Sequence, residues 1–133
     1  MGFALGCDMV NVGRETMLSV GCIQSQRCHT DHCPTGVTTH RRWRTAGLRP
    51  KSKSVRAANY IEALRGELLA LSRTCGHTHP ALVGAGQLEL IDGRFGSRPM
   101  TEVFNYQPDW GVPQGARRTE IEALMREVCS GAV

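Results

Sequence analysis

The sequence predicts an α/β fold, and three features near its start carry that expectation. Phe3 to Leu5 read as the tail of a helix that Gly6 breaks, Asp8-Met9-Val10-Asn11-Val12 reads as a short β-prone segment ending at Gly13, and Arg14 to Val20 suits a helix stopped by Gly21. Helix tail, strand, glycine turn and helix in that order make an α/β unit whose strand should be buried in a parallel sheet.

Beyond this unit the pattern changes. Residues 22–50 hold three cysteines, two prolines and several threonines with little hydrophobic periodicity, so an irregular loop is expected that something other than a core must hold. Pro50 and Ser52 then introduce a long helix to about Arg73, with Val55, Ala58, Ile61, Leu64, Leu68 and Leu71 spaced by threes and fours along one face and Gly76 as its stop. His79-Pro80 should begin a shorter helical turn, because proline is tolerated where a first-turn N–H has no partner anyway. Gly84 to Gly115 is rich in Gly and Pro, and Gln87 to Ile91 is its one plausible short strand or helix. A last helix is expected over Thr119 to Cys129, with Thr119 and Glu122 as a capping box and Ile121, Leu124, Met125 and Val128 on one face. These signals divide the chain at 1–21, 22–50 and 51–133.

Composition limits the function classes. The 133 residues suffice for one core of ordinary size, and 41% hydrophobic against 21% charged residues fits globular rather than disordered sequence. No apolar run approaches the roughly 20 residues of a spanning helix. The start, Met1 to Asp8, has neither a basic segment nor a sustained apolar one, so a secretory signal is not expected and a cytoplasmic location is. Net charge is +4, and much of the excess lies in Arg41, Arg42, Arg44, Arg49, Lys51, Lys53 and Arg56. Such a run can attract nucleic acid, but a solvated loop and helix start is the expectation, and neither nucleic acid nor membrane is expected as a partner.

The chemistry concentrates in Cys22, Cys28 and Cys33, spaced C-x5-C-x4-C. Each intervening segment is long enough to turn back, so three thiolates can converge on one centre. Cysteine sulfur is the ligand of iron–sulfur clusters, and three ligands fit a three-iron cluster with one corner empty. Pro34 and Gly36 restrict the loop's exit, and loop N–H groups can donate to cluster sulfur and tune its potential. Zinc competes, because His29 and His32 stand among the thiolates and Cys3His is an accepted zinc set. Zinc sites usually pair ligands at shorter separations, and only one gap here is of that size. Cys7, Cys75 and Cys129 are expected to be buried, inert thiols on regular elements, and disulfides are not expected without an export signal.

The run Leu5-Gly6-Cys7-Asp8-Met9-Val10-Asn11-Val12-Gly13-Arg14, then Gly21-Cys22-Ile23-Gln24 and Cys28-His29-x-x-x-Cys33-Pro34-Thr35-Gly36-Val37-Thr38-Thr39, resembles the FMN-binding synthase domain of glutamate synthases. Gly47-Leu48-x-Pro50, Lys53 and Val55-Arg56-x-Ala58-Asn59-Tyr60 resemble the next segment of that domain in bacterial and archaeal members. The resemblance covers about residues 3 to 80. Members of that family often carry Ala where Cys7 stands and Gln where His40 stands, and several carry Thr in place of Arg14.

This resemblance implies the C-terminal fragment of a TIM (β/α)8 barrel: 1–21 its last βα unit, 22–50 the iron–sulfur loop and 51–133 a mostly helical extension. It implies a 3Fe–4S cluster on Cys22, Cys28 and Cys33, and FMN whose phosphate lies by Gly13 and Arg14, at the C-terminal end of the eighth strand. The implied reaction makes L-glutamate from 2-oxoglutarate and glutamine-derived ammonia, with electrons passing through the cluster to the flavin. The implied partners are the remainder of the barrel, in the same or a separate chain, and an electron donor such as ferredoxin or a nicotinamide-linked subunit. A complete barrel needs about 250 residues, so the chain alone is expected to be inactive and to expose apolar surface on its strand and long helix. The alternative is a small non-catalytic iron–sulfur carrier or zinc-stapled binding module.

Overall fold

In the computed structural model, residues 1–94, 96–107 and 109–130 are described, Asp92 and Cys129 by their backbone alone. The elements run α1 (Arg14–Ser19), α2 (Arg42–Thr45), α3 (Pro50–Thr74), β1 (Glu89–Asp92), β2 (Gly96–Pro99), α4 (Met100–Val103) and α5 (Gly115–Ser130), with 3-10 turns at Phe3–Leu5, Cys28–Thr30, Pro80–Leu82 and Ala85–Gln87. The chain forms two compact units, one from Met1–Val10 with the residues from Gly66 onward, the other Asn11–Arg65.

The long helix α3 owes its limits to its punctuation. Pro50 sits where a missing N–H costs nothing, and Gly76, with φ +80°, ends the helix in the left-handed conformation that only glycine adopts freely. Gly76 N–H then donates to Arg73 O and His77 N–H to Ser72 O, both at 2.9 Å, which satisfies carbonyls the helix end would leave bare. Its apolar stripe is largely uncovered: Val55 is 58% exposed, Ile61 48% and Leu71 65%.

In the first unit, Ala4, Leu82, Ala85, Met100 and Met125 are buried, together with the hydroxyl-bearing Ser72. Met100, wholly enclosed, enters that core at the start of α4, directly after the β2 strand. The Tyr106 hydroxyl donates to Leu5 O at 2.7 Å, across 101 positions of sequence. Gly6 and Gly111 also meet there. Both have positive φ (+88° and +77°), and a Cβ on Gly6 would lie 2.5 Å from Gly111 Cα, so only glycine fits at either place.

Several expectations need correction. Asp8 to Val12 is not a strand: β structure needs a ladder partner, and among the described residues the one sheet is the antiparallel hairpin of β1 and β2, with Glu89 opposite Pro99 and Asp92 opposite Gly96. Met9 is therefore 89% exposed and Val10 47% rather than buried. The expected irregular loop contains the short α2, and β2 arises where the sequence pattern predicts no element. Thr119 does not cap α5, which starts at Gly115. Its hydroxyl instead donates to Gly115 O one turn back, and Glu122 pairs with Arg118 at 3.0 Å. Cys7 is exposed and Cys75 half-buried, both outside regular elements, because Cys7 comes after the Gly6 break and Cys75 lies in the turn that ends α3. The side chain of Cys129 lies outside the described residues. Among those residues no helix is long and apolar enough to cross a membrane.

Candidate metal centre

All three cysteines of the loop lie in the second unit, and the backbone delivers each differently. Gly21 (φ +106°) ends α1: its N–H donates to Leu18 O and that of Cys22 to Met17 O, at 2.9 and 3.0 Å. Cys22 thus leaves the helix at a fixed angle, half-buried, its sulfur accepting the Gln24 N–H at 3.4 Å. Cys28 opens the exposed 3-10 turn Cys28–Thr30. Cys33 is only 4% exposed. Between them the backbone is strained, with Gln24, Gln26 and Asp31 at φ between 54° and 58°, a region that residues with a side chain rarely occupy. Such outliers gather where surrounding structure is built for a task other than stability.

Cys33 is set up as a thiolate. The Thr35 hydroxyl stands 3.5 Å from its sulfur. That hydroxyl, seconded by the Thr38 backbone N–H, outweighs the opposing effect of burial and lowers the thiol from its ordinary 9.0 to about 6. The buried Thr38 hydroxyl, close to the same sulfur, adds a smaller push in the same direction. Gly36 (φ +81°) lets the loop turn behind Cys33, where a Cβ would overlap the Arg44 carbonyl.

Asp31 belongs to no sequence motif, yet it organises the far side of the loop. Its Oδ1 accepts the Thr39 hydroxyl at 2.9 Å and the His40 N–H at 2.7 Å, and the same hydroxyl reaches Asp31 O at 2.8 Å. Arg41 Nε approaches Oδ2 at 3.4 Å. These contacts, the His40 N–H first and the Thr39 hydroxyl next, hold the carboxyl below its usual range. The abundance of threonine in the loop is the one sequence signal that points toward such bonds.

The histidines do not join the thiols. His32 Nδ1 lies 2.6 Å from Thr30 O and must donate there, which leaves Nε2 to accept from the Arg41 guanidinium at 3.1 Å. Both nitrogens are committed, so His32 is not offered to a metal, and His29 lies in the exposed turn. Cys7, Cys22, Cys28, Cys33 and Cys75 are free thiols.

Among the described residues no three of His, Cys, Asp and Glu are gathered as a cage for a metal ion. The chemistry of the donor set fits a thiolate-bound cluster all the same: three free sulfurs in one loop, one already poised as thiolate and another taking an N–H. Gly13 and Arg14 are both exposed at the start of α1, which has no side-chain cap. Among the described residues, no atom outside its own chain neighbours lies within 4 Å of where a Cβ on Gly13 would stand. Of the basic run, Arg41 is tied to Asp31, and Arg44 is half-buried with its guanidinium 4.7 Å over the Trp43 ring.

A family model described as a conserved region in glutamate synthase matches residues 1–78. The glutamate synthase large subunit-like protein YerD of Bacillus subtilis is 40% identical over 80 residues, which are 60% of this chain and 15% of that protein. The archaeal glutamate synthase [NADPH] of Archaeoglobus fulgidus is 32% identical over 65 residues, 49% of this chain and 13% of its own length. The chloroplastic ferredoxin-dependent glutamate synthase of Spinacia oleracea is 39% identical over 41 residues, 31% of this chain and 2% of that protein. The chain thus spans a small fraction of each relative's length. No solved structure matches it.

Proposed function

The chain belongs to the glutamate synthase family, and from that premise we propose that it supplies the cluster-binding end of a glutamate synthase-type oxidoreductase, with Cys22, Cys28 and Cys33 as ligands of a 3Fe–4S cluster. The observation that carries the proposal is Cys33, a buried sulfur surrounded by hydroxyl and amide donors that favour its thiolate. A thiolate is what a cluster iron binds, and donors to a ligand sulfur tune the cluster's potential. A loop without a fourth cysteine suits a three-iron cluster.

In the intact enzyme the reaction would form L-glutamate from 2-oxoglutarate and glutamine-derived ammonia, the cluster relaying single electrons to FMN. This chain's own residues bind and position. Asp8 to Val12, which has no ladder partner in this chain, would pair as the last barrel strand only beside the rest of the barrel, and that pairing would cover the exposed Met9 and Val10. Gly13 and Arg14 would meet the FMN phosphate, residues 22–50 would wrap the cluster and residues 51–133 would extend outside the barrel. Its partners would be the rest of the barrel and an electron donor, ferredoxin or a nicotinamide-linked subunit; the relatives' own names mention ferredoxin dependence or NADPH.

Anaerobic preparation of the 133-residue chain with ferrous iron and sulfide tests the reading. Iron with acid-labile sulfide and the paramagnetism of an oxidised three-iron cluster, both lost in Cys33→Ser, are the expected result. Stoichiometric zinc, or no retained metal, sinks it.

A further inference from the structure

We propose that Asp31 is the positioning residue of the cysteine loop: its carboxylate clamps residues 39 to 41 and holds Cys33 as the fixed ligand onto which Cys22 and Cys28 close. The inference deepens, and rests on, the cluster reading above.

The clamp is a short ring. One end is Asp31, in a left-handed conformation that aspartate tolerates better than most residues. The other is Thr39, itself buried, whose hydroxyl reaches both the carbonyl and the carboxylate of Asp31. The His40 N–H, at 2.7 Å from Oδ1, closes it from the backbone. Hydrogen bonds to a carboxylate are stronger than neutral ones, so these two contacts dominate. Arg41 adds little, since both partners of that ion pair are more than two-fifths exposed, at 44% and 43%. Arg41 Nη2 instead reaches His32 Nε2, which keeps the residue beside Cys33 turned away from the sulfur.

What the ring encloses is Cys33 with Thr35 and Thr38, the very groups that stabilise its thiolate. Cys22 and Cys28 lie outside it, half-buried and exposed, joined by a segment whose Gln24 and Gln26 are left-handed. One ligand is thus held in place by the clamp, while the other two lie on a segment with no such tie to Asp31.

The test is residue-resolved alkylation of the full, reduced, metal-free chain, read by peptide mass spectrometry. Asp31→Ala should speed labelling of Cys33 roughly tenfold, the factor lost with one charge-assisted hydrogen bond, and leave Cys75 unchanged as a half-buried control in the other unit. Asp31→Asn keeps an oxygen for Thr39 and His40 and should restore most of the protection. Iron uptake should fall in the same order, lowest in Asp31→Ala. Unchanged labelling of Cys33 in Asp31→Ala, equal acceleration of Cys75, or no rescue by Asn overturns the proposal. A wild-type chain that takes up no iron defeats the cluster reading, and the labelling pattern still decides the clamp.

Discussion

The Thr35 hydroxyl lies 3.5 Å from the Cys33 sulfur and is the largest reason that thiol sits near 6 instead of 9.0. A depressed pKa in the folded state means that the unfolded chain binds more protons between those two values, so stability rises with pH across that window. The contribution is complete above 9.0 and is lost as pH falls through about 6. Thr35→Val keeps the shape and removes the donor. Titrating the thiolate ultraviolet absorbance of the reduced, metal-free chain should show the Cys33 step moving upward in this variant, and denaturant midpoints should depend less on pH between 6 and 9.0. An unmoved step would show that Thr35 does not hold the thiolate.

Gly6 and Gly111 approach too closely for any side chain. Gly6→Ala forces a Cβ within 2.5 Å of Gly111 Cα at a φ of +88°, so backbone strain and overlap act together. The expected loss is about 1–3 kcal/mol from the conformation alone, read as a fall in the midpoint of urea unfolding. Gly66→Ala is the control: that glycine is inside α3 with open space around it, and alanine there should stabilise by roughly 0.5–1 kcal/mol.

Met100 is fully buried, whereas Ile91 on the hairpin is 88% exposed. Met100→Ala should cost about 2–5 kcal/mol through lost transfer energy and the cavity left behind. Ile91→Ala should fall within about 0.5 kcal/mol of wild type. Thermal unfolding of the two variants side by side checks the contrast, and equal melting temperatures would contradict the placement of the core.

The uncovered stripe of α3 and the bare Met9 should bind a hydrophobic dye in the native state, because apolar surface of this extent usually awaits a partner. Replacing Val55, Ile61 and Leu71 by Gln should lower dye fluorescence with little loss of helical circular dichroism. A wild-type chain that binds no dye would argue that the stripe is covered.

How much of the fold is legible in the sequence depends on how local each cause is. The helix α3 can be read because Pro50, the apolar spacing and Gly76 act within a turn or two of their own position, and the two short helical starts at Arg14 and Pro80 are legible for the same reason. The eighth-strand reading fails as secondary structure because Asp8 to Val12 has β propensity without a ladder partner, and propensity alone does not make a strand. The strand β2, Gly96-Ser97-Arg98-Pro99, shows no alternation at all and exists through its pairing with β1. Within the site, the cysteine spacing is plain. Asp31 is not, because its partners stand eight to ten positions away and no periodic pattern connects them.

The end of α1 has a consequence of its own. Cys22 takes its direction from the turn at Gly21, whose bonds reach back to Met17 and Leu18. Each residue added to an α-helix rotates the chain beyond it by about 100°. An insertion between Arg14 and Ser19 would therefore change the direction in which Cys22 leaves the helix while leaving the helix content of the chain almost untouched. The length of this small segment works as an address label for the Cys22 sulfur, one that a measurement of helix content would not read.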